Sequence, residues 1–94
     1  MSRDEIINII IIAVSEESDR PATLQSELMG DLDLDSLDFV NLAQRIEAEF
    51  GLNPIPDSDL FKLRTVEHIV LYIEAYLTRQ AEAQLARETA EAKA

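Results

Sequence analysis

The residues with the most chemical potential gather in one stretch, Asp31-Leu32-Asp33-Leu34-Asp35-Ser36-Leu37-Asp38. An alternation of acid and leucine runs there into a helical pattern of Leu37, Val40, Leu42, Ala43, Ile46 and Phe50. Ser, Asp and Asn start helices because their side-chain oxygens accept hydrogen bonds from first-turn N–H groups. The helix start falls at Asp35 or Ser36, with Asp35 the better N-cap and Asp38 in the first turn, at the positive end of the dipole. A hydroxyl in such a turn is exposed and faces unpaired N–H donors. A phosphate ester on Ser36 is therefore tolerated electrostatically, despite the aspartates beside it. A serine that only starts a helix fits the same local pattern.

Other chemistries fit this stretch less well. A serine nucleophile needs a base and an oxyanion hole. The chain has a single histidine, His68, and no Gly-x-Ser-x-Gly elbow around Ser36. His68 reads as a surface or partly packed residue, and no catalytic residue is assigned. Asp31, Asp33 and Asp35 match positions 1, 3 and 5 of a calcium loop. The match then fails, with Ser36 where glycine is required and Leu42 where a bidentate glutamate is required. No metal site is assigned, although loose cation association with the acids would relieve their repulsion. With no cysteine there is no disulfide framework, thiolate metal site or thiol nucleophile.

Asp35-Ser36-Leu37-Asp38, preceded by Asp31-Leu32 and followed by Phe39-Val40-Asn41-Leu42, closely resembles the acyl carrier protein family. Ile55-Pro56-Asp57 and Thr65-Val66 also fall where that family has them, and the resemblance covers roughly residues 2–77. It implies a 4′-phosphopantetheine arm on Ser36, attached by a separate phosphopantetheinyl transferase, with acyl groups held as thioesters on the terminal thiol of the arm. It implies a carrier rather than an enzyme. Acyl-transferring and acyl-modifying enzymes would dock through basic patches on Asp35, Asp38 and Glu47, with Leu37 and Val40 as apolar contacts. The helices would part to shelter the acyl chain among Phe39, Val40, Ile46, Leu60 and Ile69, which otherwise serve as ordinary core.

The composition agrees with such a role and excludes others. Ninety-four residues make one small domain. Nineteen acidic residues against eight basic ones give a formal charge of −11, which argues against nucleic acid and favours basic protein surfaces as partners. The apolar run from Ile6 to Val14 is too short to span a bilayer. It also lacks a net-positive leader and a cleavage site. The chain reads as soluble, unprocessed, cytoplasmic and monomeric.

The elements that must position Ser36 follow from periodicity and breakers. Ser2 and Glu5 form a capping box for a first helix, whose isoleucines 6, 7, 10 and 11, with Val14, mark a buried face. Ile9 and Ile12 lie off that stripe, and the β-branched run leaves a strand as the rival reading. Residues 15–30 read as a long loop anchored by Leu24, Leu28 and Met29. The second helix ends near Phe50 with Gly51 after it, and Leu37, Val40, Ala43, Ile46 and Phe50 are its expected apolar face. Pro54 and Pro56 keep residues 52–56 out of helix. Asp57 or Ser58 then caps a short helix to about Lys62, and Thr65 caps the last helix. Val66, Ile69, Val70, Ile73, Tyr76 and Leu77 form that helix's stripe. The sum is an all-α, small four-helix bundle, three longer helices and one short, with a long loop between the first two. Residues 1–77 form the carrier domain. Residues 78–94 form an Ala/Glu-rich extension with helix propensity but little to bury, helical or frayed.

Some positions depart from the family pattern. Asn41, Gln44 and Arg45 dilute the negative charge of the second helix, Phe39 is bulky for its place, and the tail is long. A specialised lipid pathway therefore stands beside bulk fatty-acid synthesis. An aminoacyl or polyketide carrier, and an acidic helical interaction module without a prosthetic group, are the alternatives.

Overall fold

The structure, a computed structural model, describes residues 2–93, with side chains described through Leu85. It contains α1 (Arg3–Ser18), α2 (Ser36–Phe50), α3 (Asp57–Leu60) and α4 (Val66–Lys93). An isolated antiparallel bridge between Glu27 and Thr65 is the one piece of β pairing among the described residues. This is the all-α arrangement of three longer helices and one short.

The isoleucine run is helix, which decides against the strand. Ser2 accepts from the Glu5 N–H, and Asp4 and Glu5 sit in the first turn, where acids favour the dipole. Ile6, Ile10, Ala13 and Val14 are buried, while Ile12 is half exposed at 52%. The helix outlasts the expected boundary by one turn. Residues 15–18 remain helical, and Asp19 closes the end in the left-handed conformation at φ 55°, its N–H donating to the Ser15 carbonyl. The loop is correspondingly displaced, to residues 19–35.

That loop is pinned by its backbone. The Leu28 N–H donates to the Arg64 carbonyl at 2.9 Å. The first-turn N–H groups of α4 are met in return, Val66 by the Ser26 carbonyl and Glu67 by the Leu24 carbonyl. Thr65 Oγ1 takes a third, from His68. A loop thus caps a helix far from it in sequence. Leu28 is fully buried and Leu24 half-buried, but Met29 is 54% exposed and anchors nothing. Leu32 and Leu34 are buried in its place.

The core is aliphatic apart from Phe39, and among the described residues it contains no buried polar side chain. α1 packs against both α2 and α4. On α2 the buried face is Phe39, Leu42, Ala43 and Ile46. The expected face was rotated in its first turns: Leu37 is 69% exposed and Val40 42%. Phe39 and Leu42 present more apolar area than Leu37 and Val40 once Ile46 fixes the inward direction, and the stripe 39, 42, 43, 46 follows the helical repeat equally well.

α3 is shorter than expected and carries no side-chain cap. Pro56 occupies the N-cap with extended backbone, and Asp57 lies inside the helix. α4 buries Val66, Ile69, Val70 and Ile73, with Tyr76 and Leu77 half-buried. It continues without a break through Lys93, and residues 78–85 are exposed.

Candidate functional site

Ser36 is the first residue of α2. Asp35 precedes it in extended conformation, and a reciprocal capping box closes around it. Asp35 Oδ1 accepts from the Asp38 N–H at 2.8 Å, and Asp38 Oδ2 accepts from the Asp35 N–H at 3.4 Å. The two carboxylates that flank the serine are thereby turned onto the backbone. The Ser36 side chain is exposed and makes no hydrogen bond with a described residue.

The approach to the serine is fixed from below. Leu32 and Leu34 insert into the core, and their N–H groups donate to the Glu27 and Leu28 carbonyls at 3.0 and 3.1 Å. Between them Asp33 adopts a left-handed φ of 53°, a conformation that Asp tolerates better than most residues. Asp31 accepts from the Glu27 N–H at 2.9 Å, and Arg20 donates to the Asp31 carbonyl and lies 3.9 Å from the Asp33 carboxylate. The acids of the alternation therefore face outward while the leucines hold the loop down.

Of the five residues expected at a docking face, Asp35 is the N-cap of α2 and the other four lie along the helix. Leu37, Val40 and Glu47 are spaced by three and seven, with Asp35 and Asp38 at the helix mouth. Asp38 and Glu47 are half-buried, and Glu47 Oε1 also accepts from the Ile55 N–H at 3.3 Å. Arg45 does not stand on this face as a free cation. It donates to Glu16 at 2.7 Å and lies 3.9 Å from Glu17. The hydrogen bond to Glu16 raises the guanidinium pKa further above its ordinary value, with the charges of Glu16 and Glu17 adding to it.

Of the residues expected to line an acyl pocket, Phe39, Ile46, Leu60 and Ile69 border one cavity in the core, and Val40 lies outside it. That cavity holds only about 10 Å³, room for no more than one water. Tyr72, which the sequence reading passed over, also borders it and donates to Asp59 Oδ2 at 3.3 Å. Burial, then the nearby Asp59 carboxylate, pushes the Tyr72 hydroxyl pKa up. A half-buried tyrosine four residues before another, in an otherwise aliphatic stripe, was the available signal. His68 is exposed and accepts from the Arg64 N–H through Nδ1.

A family model described as phosphopantetheine attachment site matches residues 7–73. The chain is 40% identical over 79 residues to an acyl carrier protein of Thermotoga maritima, covering 81% of this chain and 96% of that protein. It is likewise 40% identical over 79 residues to one from Lactobacillus acidophilus, covering 81% and 98%. One from Azobacteroides pseudotrichonymphae is 32% identical over 78 residues, covering 83% and 91%.

The chain belongs to the acyl carrier protein family. It is a carrier and not a catalyst, modified by a phosphopantetheinyl transferase and served by acyl-handling enzymes. Its prosthetic group is 4′-phosphopantetheine, which supplies the thiol this cysteine-free acyl carrier protein lacks. An exposed hydroxyl at a helix N-terminus fits a phosphodiester, because the free N–H groups of the first turn and the helix dipole favour an anion there. Among the described residues, no helix is long and apolar enough to cross a membrane.

Proposed function

We propose that Ser36 bears the arm, and that this chain delivers acyl groups to the enzymes of fatty-acid synthesis or of a specialised lipid pathway. One observation carries the reading: Ser36 presents an exposed hydroxyl, free of hydrogen bonds to described residues, on the first residue of α2. The family carries its arm on a serine, and the Asp35-Ser36-Leu37 core supports Ser36 as that serine. Incubation with a phosphopantetheinyl transferase and coenzyme A should add the mass of one arm to the wild type and nothing to Ser36→Ala. An equal gain in both would overturn the assignment.

Docking on Asp35, Leu37, Asp38, Val40 and Glu47 is supported by their place on α2 and its N-cap and by the exposure of both apolar members. With a formal charge of −11, the chain would be steered to basic partner surfaces. Residues 1–77 form the carrier domain in this reading, and residues 78–94 are an appendage whose exposed start adds nothing to the core. The carrier acts as a cytoplasmic monomer. Acyl shelter among Phe39, Ile46, Leu60 and Ile69 requires the core to open, since its cavity is nearly filled.

A further inference from the structure

We propose that His68 is a positioning residue for the modification of Ser36: its neutral imidazole anchors a hydrogen-bond relay that sets the approach to α2, and protonation breaks that relay at its first link. This rests on Ser36 as the point of attachment. The Arg64 N–H donates to His68 Nδ1 at 3.1 Å. The carbonyl of the same Arg64 accepts from the Leu28 N–H at 2.9 Å, and the Leu28 carbonyl accepts from the Leu34 N–H at 3.1 Å. Leu34 is buried and directly precedes Asp35, the N-cap of α2. Arg64 and Leu28 are thus each gripped at both their N–H and their carbonyl, and a shift at one passes to the next. The relay runs from the first turn of α4 to within two residues of the serine.

The chemistry of the first link is dictated by the donor. A backbone N–H can only donate, so His68 Nδ1 presents a lone pair and the neutral ring carries its proton on Nε2. A proton on Nδ1 sets donor against donor and expels the Arg64 N–H, which leaves Arg64 held by its carbonyl alone. His68 is the only histidine of the chain and is exposed, so solvent protons reach it. The charged and titratable groups around it are Arg64, which donates to it, Glu67 beside it, and Tyr72 one turn further along α4. Across from these stand Glu27, paired with Thr65 in the isolated bridge, and Asp59 of α3, which accepts from Tyr72. Of these residue types only histidine changes from acceptor to donor between pH 5 and 8. The relay is therefore complete at the upper end of that range and open at the lower end.

The test compares the full chain with His68→Asn, whose Oδ1 stands in the place of Nδ1 and accepts an N–H without titrating. In an NMR titration of the wild type from about pH 8 to pH 5.5, the amide signals of Arg64, Leu28 and Leu34 should move with the His68 ring and share its midpoint. Amide exchange at Leu28 and Leu34, taken relative to His68→Asn at the same pH, should quicken by about 2- to 12-fold once the ring is protonated, the factor expected for one lost hydrogen bond. The rate constant kcat/KM for attachment of the arm by a phosphopantetheinyl transferase is read as the ratio of wild type to His68→Asn, which cancels the transferase's own pH dependence. That ratio should be flat at the alkaline end and fall by up to the same factor toward the acid end, and His68→Ala should stay at the low level throughout. A ratio that does not change with pH would overturn the positioning role, and so would a Leu34 amide that ignores the ring. Failure of the wild type and both variants to take the arm would count against Ser36 itself, while the NMR titration, which needs no arm, still decides on the relay.

Discussion

The side of the bundle where α1 meets α4 and the side that carries α3 are held by different forces. Against α4, α1 presents Ile6, Ile10 and Val14, all essentially sealed, and α4 answers with Val70 and Ile73 at 0% exposure. An ion pair stands only at the rim, Arg3 with Glu74 at 3.1 Å. The segment that carries α3 buries Leu60 and is otherwise held by single polar tethers. Glu47 accepts from Ile55, Tyr76 accepts from Asn53, and Tyr72 donates to Asp59. Aliphatic burial is shared among many contacts and has no weak member. A polar tether contributes about 0.5–1.5 kcal/mol and breaks alone. The α3 side is therefore expected to loosen first, and its Leu60 borders the core cavity.

Several substitutions would break or sharpen this contrast. Ile73→Ala, on the sealed side, should cost about 2–5 kcal/mol and lower the urea midpoint for the whole bundle. Asp35→Ala removes the acceptor of the Asp38 N–H and should cost about 1 kcal/mol, read from the same transition. Tyr72→Phe should cost about 1 kcal/mol at most, and hydrogen exchange should quicken for residues 55–60 while α1 amides keep their protection. Equal loss of protection in α1 would erase the distinction between the two sides.

Tyr72 also sets a sign for pH. Its hydroxyl holds its proton more tightly in the folded chain than in the unfolded one, because burial and Asp59 disfavour the phenolate. Its contribution to stability is thus complete below the ordinary tyrosine value of about 10 and is lost as pH rises above it. Thermal stability should fall less steeply above pH 10 in Tyr72→Phe than in the wild type. The smallest effect on folding is expected from Leu37→Ala, within about 0.5 kcal/mol for so exposed a side chain. Its transfer rate to an acyl-handling enzyme should nevertheless drop, and an unchanged rate would remove Leu37 from the docking face.

The helices and the place of Ser36 at the start of α2 were legible because they depend on local physics. Isoleucine spacing, the Asp35 cap, Gly51 at φ 64° and the prolines after it each act within a few residues. The inward face of α2 was not, since two apolar stripes fit one helix and only packing chooses between them. Nor was the loop's grip on α4, where the Ser26 and Leu24 carbonyls meet N–H groups some forty residues away. Backbone partners carry no side-chain signature. Met29 and Phe61 escaped for a similar reason: they look like core residues until folding leaves them 54% and 76% exposed.

The central claim is that a single exposed hydroxyl on α2 carries the working group. Fragmentation mass spectrometry of the protein after treatment with phosphopantetheinyl transferase and coenzyme A tests it most directly. The account predicts the added mass on Ser36 alone. The same mass on Ser15, Ser18, Ser26 or Ser58, or an unmodified Ser36 in a fully folded chain, would contradict it.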